Sequence, residues 1–399
     1  MLEEHHPTMG AGWVIVSGLM SIVLLLREEG FLPISFYGMF LGGMAMLLLK
    51  FIIHPASEPL EFDTEQFMYV LLPPIVLNSG LKFKWAEAQK TIGTSLVLAW
   101  LGTVGTALWI ALGLWSTTDI KPWIIAFWIG SILSPTDPVG TLDQMAKLNR
   151  QLPIKLVLEH ESLLNDAVAV MLVHTAHRTW KLNENMTKIE TIEVIGFALG
   201  LTVLAALIGA LHAFLLFKIE KIKPLFVLTV GMFVFSACEV IEASGIIALF
   251  VFGAVISVYG EYPETSRIIQ NIADFSETYV YISMGGVVVE SSLIYWKEGL
   301  AVILATLTGR IMNVHAFTVL CRVGGVRWNL EETIFMSICG MRGAVSLALA
   351  ISSPMKLRTL FVTVTVMEVF FSMVFTSVAA NWCIKRFEMF KRSNNVLVV

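Results

Sequence analysis

Charge is what this sequence has least of. Asp, Glu, Lys and Arg supply 15% of its 399 residues, where a soluble domain carries roughly 25%, so a water-facing globule is excluded. The net charge of −4 is too slight for this length to mark a nucleic-acid or polyanionic partner. Cysteine is scarce too. Cys238, Cys321, Cys339 and Cys383 stand singly in apolar surroundings without a CxxC pair, which removes a disulfide framework and a zinc site and leaves them as packing residues. The start, MLEEHHPTMG, lacks the basic stretch of a secretory leader, so the first apolar run is expected to stay in the mature protein.

Apolar residues fill the space that charge leaves: 56% are hydrophobic and the mean hydropathy is +0.76. Polar and Pro/Gly-marked breaks cut the chain into apolar segments near 10–26, 33–53, 66–80, 91–115, 122–142, 155–176, 191–217, 224–241, 244–259, 275–290, 298–320, 331–352 and 357–384. Several fall short of the roughly 20 residues of a straight span, which predicts an all-α polytopic membrane protein of about thirteen helices, some tilted or broken. No linker or soluble domain interrupts them, so residues 1–399 are expected to form a single membrane domain with a short tail, 385–399. Any cytoplasmic regulatory region would lie outside this sequence. Most Lys and Arg fall in the loops on the same side as that tail, predicting an outside or lumenal N-terminus and a cytoplasmic C-terminus. The sequon Asn185-Met186-Thr187 would then lie outside, where glycosylation occurs.

Ionisable residues inside apolar segments are costly and are therefore candidate sites. Five stand out: Asp137 in GSILSPTDPVGT, Glu161 and Asp166 in LEHESLLNDAVAVML, Arg310 in TLTGRIMNVH and Arg342 in SICGMRGAVSLALA. Residues four apart on a helix share a face, so Ser162 lies under Asp166 and Glu161 under Asn165. Ser and Asn at such positions also serve simply to hold helices together. A buried carboxylate is different, because a cation, a proton or a basic partner must offset it. An ion carrier has the same requirement.

Pro135 and Pro138 bracket Thr136-Asp137. Each removes a backbone donor and obstructs the preceding turn, so the fifth segment is predicted to unwind there. Gly340 and Gly343 flank Arg342 and weaken the twelfth segment in the same way. An offset of seven segments relates the two breaks and inverts the topology, giving a first repeat over about 10–176, a linker helix over about 191–217 and a second repeat over about 224–384. Interrupted helices at corresponding positions of two halves point to a transporter's binding site. The acid of one break and the base of the other would offset helix-end dipoles of opposite sign.

These motifs resemble those of the monovalent cation:proton antiporters, specifically the sodium/proton exchanger branch. LLPPIVLNSGLKFK is similar to the third-span signature, SPTDPVG to the unwound fifth, EHESLLNDAVAV to the sixth, FSETYVYISMGG to the tenth and GMRGAVSLALA to the twelfth. The resemblance implies a fold of two inverted six-helix repeats with unwound crossing helices, working as an elevator in a homodimer. It implies that Asp166 is the ion-binding carboxylate, with Asn165 as its neutral neighbour and Asp137 and Thr136 in the crossover. Glu161 and Arg310 resemble the family's supporting salt bridge, and Arg342 the base of the twelfth-span break. The substrates would be a monovalent cation, Na+ or alternatively K+ or Li+, and H+. No cofactor is expected, and lipid is the surrounding partner, in a plasma membrane or an endomembrane. Three positions depart from the family pattern: Pro135 stands where Ala is usual, Gly140 where other small residues are, and His160 where Gly is.

Asp166 would then always hold either a cation or a proton, since a bare carboxylate is expensive to carry through the barrier. Asn rather than Asp at 165 implies one carried charge in either direction, hence electroneutral one-for-one exchange that regulates pH and cation content. Other readings stay open at this point. Asp137 and Asp166 in neighbouring spans would suit an intramembrane aspartyl protease, although its GxGD motif is absent. A passive channel needs a selectivity pore that is not visible, and a transport-dead relative would share every motif. His174 and His177, one turn apart, have the spacing of a metal pair or of an interfacial polar pair, while Trp109, Trp115, Trp123, Trp128 and Trp296 read as interface anchors.

Overall fold

In lipid a backbone must satisfy its own hydrogen bonds, and long apolar segments of this kind do so by coiling into helices. The computed structural model describes residues 6–29, 34–52, 63–83, 92–146, 153–181, 188–216, 223–241, 243–259, 262–291, 293–323 and 329–387. Every regular element among them is helical. Helices α1 (His6–Glu29) and α2 (Ile34–Ile52) come first. Helix α3 starts at Thr64–Gln66, widens into a π-turn at Phe67–Leu71 and continues as Leu72–Leu81. The π-turn sits immediately before Pro73 and Pro74, which lack the donors that a regular ladder would use. Helix α4 runs Ile92–Val97, a π-turn at Leu98–Gly102 and Thr103–Thr117.

The fifth apolar segment folds as two short helices, α5 (Trp123–Ile132) and α6 (Val139–Ala146), separated by irregular backbone at 134–138. Helices α7 (Pro153–Lys181), α8 (Lys188–Leu216), α9 (Pro224–Val240), α10 (Gly245–Tyr259), α11 (Pro263–Glu290) and α12 (Trp296–Val323) follow. The twelfth segment is again two helices, α13 (Leu330–Ile338) and α14 (Ala344–Ile351), around irregular backbone at 339–343. Helix α15 (Met355–Arg386) closes the described chain. Three described stretches, Gly93–Thr117, Trp296–Val319 and Met355–Arg386, are long and apolar enough to cross a membrane as single helices, and shorter apolar helices surround them.

Local sequence explains several boundaries. Asn329 and Glu332 form a capping box at α13: Leu330 N–H donates to Asn329 Oδ1 at 2.7 Å, and Asn329 N–H donates to Glu332 Oε2 at 2.8 Å. Those two contacts satisfy donors that a helix start leaves open. Helix α11 begins well before the apolar segment expected at 275–290. Its buried Thr265, Ile269, Ala273 and Ser276 continue one helical stripe, which the exposed Glu264, Arg267 and Asn271 hide in a hydropathy reading.

Packing is closest where side chains are smallest. A Cβ on Gly42 of α2 would run into the Ile282 carbonyl of α11, and one on Gly285 into the Met39 carbonyl. The two backbones touch as small-residue interfaces in membranes allow. Trp128 corrects the interface-anchor expectation. It is 2% exposed and packs against His177, Trp180 and Phe361 with ring centroids 5.1, 6.0 and 5.3 Å away, so it belongs to the core. That stacking also engages His177. Among the described residues no group of three or more metal-ligating side chains exists. Cys238, Cys339 and Cys383 are free and buried, while the sequon at Asn185 lies outside the described residues.

Candidate functional site

The two breaks meet. Asp137 N–H, in the first, donates to the Met341 carbonyl, in the second, at 2.7 Å. Arg342 reaches back across the crossing, its Nη1 donating to the carbonyls of Ser134 at 2.7 Å and Pro135 at 2.8 Å. Those carbonyls follow the C-terminus of α5, where a cation complements the helix dipole. Asp137 takes the opposite end, accepting from Val139 N–H at the start of α6 at 3.0 Å on Oδ1 and from the Tyr281 hydroxyl at 3.3 Å on Oδ2. Unwinding has freed backbone groups, and each side chain answers the charge of the helix end it meets.

Helix α7 supplies the remaining candidates and sends them in different directions. Glu161 and Asn165, one turn apart, both point into protein. Glu161 pairs bidentately with Arg310 of α12, through Nη1 to Oε1 and through Nη2 to Oε2 at 3.1 Å. The third guanidinium nitrogen, Nε, donates to the Met336 carbonyl on α13 at 3.2 Å. A buried ion pair with additional hydrogen bonds offsets its own desolvation. Asn165 Nδ2 donates to Thr136 Oγ1 at 2.8 Å, tying α7 to the crossover, while its Oδ1 is buried without a hydrogen-bond partner. That oxygen stays free to accept.

Ser162 and Asp166, on the adjacent stripe, face a cavity of about 400 Å3 that Asp137, Tyr281, Gly343 and Ser346 also line. Lys82, Lys155, Glu159 and His160 line the same cavity, from just past the C-terminus of α3 and from the first turns of α7. His160 packs on Phe83 with centroids 5.0 Å apart, its Nδ1 buried without a hydrogen-bond partner. Gly343 matters by its size, because a Cβ there would collide with the Asp137 carboxylate.

Thus the eight residues singled out from the sequence fall into three connected groups: Asp137, Thr136 and Arg342 at the crossing, Asn165, Ser162 and Asp166 beside it, and Glu161 with Arg310 bracing α7 against α12. The sequence reading of three acids and two bases within the apolar segments was short. Glu368 on α15 is 2% exposed and accepts from Thr306 Oγ1 at 2.8 Å. Glu239 on α9 accepts from Gly245 N–H at 2.9 Å. Glu368 lies singly in an apolar run without Pro or Gly beside it, and a lone acid in such a run was the available signal, whereas Glu239 is followed by Glu242 at the polar end of its segment. Asp274 and Glu277, hidden in the polar first half of α11, line the cavity as well.

A family model described as "Sodium/hydrogen exchanger, transmembrane" matches residues 15–385. The Na(+)/H(+) exchanger beta of Oncorhynchus mykiss is 26% identical over 92% of this chain and 52% of its own length. Sodium/hydrogen exchanger 5 of Homo sapiens is 27% identical over 93% of this chain and 45% of its own. The chain therefore spans about half the length of the curated relatives it matches. Among solved structures, the sodium proton antiporter MjNhaP1 from Methanocaldococcus jannaschii superposes with a TM-score of 0.74 at 17% identity, covering 95% of this chain and 98% of that one.

Proposed function

The chain belongs to the sodium/hydrogen exchanger family, and from that premise we propose that it is a secondary antiporter exchanging a monovalent cation for H+ across a membrane, with Asp166 as the carrier carboxylate. One observation carries the reading: Asp166 faces a cavity at the crossing of two broken helices whose freed ends are already answered by Arg342 and Asp137. With the helix ends compensated, the carboxylate at 166 is left for the substrate. Asn165 Oδ1, buried and without a partner, Ser162 and Asp137 supply further oxygen ligands for a hard monovalent cation, and Thr136 holds the Asn165 amide in place.

Exchange follows from the cost of an empty site. A bare carboxylate shut away from water is strongly disfavoured, whereas the same group loaded with either a cation or a proton can pass. Cation and proton thus compete for one site, and the transporter turns over only by trading one for the other. With Asn at 165 each direction carries one charge, so exchange is electroneutral and one-for-one. Na+ is the proposed cation, K+ and Li+ being alternatives that fit the same oxygen ligands.

Alternating access is proposed to be elevator-like, with the crossing helices, α7 and α12 moving together against the remaining helices of a homodimer. Support comes from the bonds that tie the two breaks to each other through Arg342, α7 to the first break through Asn165, and α12 to α7 and α13 through Arg310. The two breaks stand at equivalent places in inverted repeats over about 10–176 and 224–384, joined by a linker helix over about 191–217. Lys82 and Lys155 are among the residues that line the cavity, and the distribution of basic residues assigns both to the cytoplasmic side. We place this multi-pass protein in a plasma membrane or an endomembrane, with its N-terminus outside or lumenal and the cavity on the inner side.

The test is proton flux in proteoliposomes under an imposed Na+ or K+ gradient, at clamped and unclamped membrane potential. Cation-driven alkalinisation that is insensitive to potential and absent in Asp166→Asn supports the reading. Wild-type protein without exchange, or a mutant that still exchanges, removes it.

A further inference from the structure

Glu368 lies off the cavity and has no part in the site described so far. It is 2% exposed, in the middle of the apolar run TVTVMEVFFSMVF. One oxygen, Oε1, accepts from Thr306 of α12 at 2.8 Å. The other, Oε2, is buried with no hydrogen-bond partner. A buried carboxylate with only a hydroxyl on one oxygen is poorly satisfied, so some other interaction must support it.

That interaction lies at the crossover. Ser372, one turn beyond Glu368 and on the same face of α15, accepts from the Arg342 main-chain N–H at 3.1 Å. The face of α15 that carries Glu368 is therefore the face seated on the second break. Arg342 uses Nη1 on the first break but leaves its Nε buried and without a hydrogen-bond partner. Two buried atoms of opposite polarity, Arg342 Nε and Glu368 Oε2, are thus left without hydrogen-bond partners on the two sides of this seam. Among the described residues the other charged groups near this seam are Arg310, one turn beyond Thr306 on the same face of α12, and its ion-pair partner Glu161.

We propose that Glu368 is a positioning residue for the ion site, acting through Arg342: it cancels the positive potential that the guanidinium would otherwise impose on Asp137 and Asp166. The residues on either side of Arg342 touch Asp137, Met341 through its carbonyl and Gly343 by close packing, so a change in the effective charge at 342 reaches the site directly. With Glu161 answering Arg310 and Glu368 answering Arg342, the interior charges balance, and the cavity carboxylates present their full attraction to a cation or a proton. Removing the charge of Glu368 weakens both kinds of binding together.

This inference rests on the antiport reading, and one experiment separates the two. Cation-dependent proton flux is measured over a pH series for wild type, Glu368→Gln and Glu368→Asp. The expected result for Glu368→Gln is an apparent KM for the cation raised about tenfold, with the pH of half-maximal exchange moved down by about one unit. Glu368→Asp keeps the charge and stays within about twofold of wild type. A merely structural role lowers the maximal rate without moving KM and the pH profile together. Wild-type exchange with an unshifted Glu368→Gln overturns this inference alone, whereas wild-type protein without exchange removes the antiport reading and this inference with it. Should Glu368→Gln fail to fold, Glu368→Asp decides. A folded protein with KM and pH profile within about twofold of wild type supports the charge as the requirement, and a KM and pH profile moved about tenfold, or loss of folding again, assign Glu368 a packing role and overturn the proposal.

Discussion

Arg342 and Pro135 are joined by a single hydrogen bond of 2.8 Å, from the guanidinium of one broken helix to the main-chain carbonyl of the other. The neighbouring Ser134 carbonyl takes a second bond from the same nitrogen. One cation thus closes two helix interruptions that lie far apart in the chain.

Substituting Arg342 with Gln removes both bonds and leaves buried carbonyls unpaired. A loss of about 2 kcal/mol in stability is expected, read as a lower Tm in detergent. Arg342→Lys keeps the charge without the planar fork and falls in between. A Tm unchanged in Arg342→Gln would show that the crossing holds without it.

Glu161 and Arg310 form the bidentate brace between α7 and α12. Neutralising either partner strands the other charge in the interior, at a cost of about 3–5 kcal/mol. The double variant Glu161→Gln/Arg310→Gln should lose less than the sum of the single losses. Thermal unfolding of the four proteins measures this, and additive losses would mean that the pair is not coupled.

Asp166 is expected to bind cation and proton at one site, which fixes the pH dependence. In the acidic range apparent KM for the cation should rise about tenfold per unit fall in pH, and at alkaline pH it should level off. Initial rates across a matrix of cation concentration and pH test this. A maximal rate that falls with acidification at constant KM would indicate separate sites.

Gly343 leaves no room for a side chain against the Asp137 carboxylate. Gly343→Ala must push that carboxylate away from Val139 N–H and the Tyr281 hydroxyl. Exchange should drop by at least about tenfold while the protein remains folded, as expected when a site group is displaced by about an ångström. Wild-type rates in Gly343→Ala would remove Asp137 from the mechanism.

The helical architecture and most of the site were legible from local chemistry. Pro135 and Pro138 around an acid, and Gly340 and Gly343 around a base, mark the breaks because those residues alter the backbone whatever surrounds them. Asp166 and Arg342 were conspicuous because an ionisable group in an apolar run is costly in any fold. Other features depended on neighbours remote in sequence. Helical periodicity placed Glu161 over Asn165 and Ser162 under Asp166, but the destinations of the two stripes were set by what packs against α7: Arg310 and Thr136 on one side, the cavity on the other. Trp128 was drawn into the core by His177, Trp180 and Phe361, and Glu368 acquired its setting only when α15 laid Ser372 on the second break. The sequence by itself determined where helices form, where they fail and which groups are too costly to be idle. Tertiary structure alone decided which charge answers which, because electrostatic partnership depends on distance through space, and that distance exists only once the two breaks have crossed.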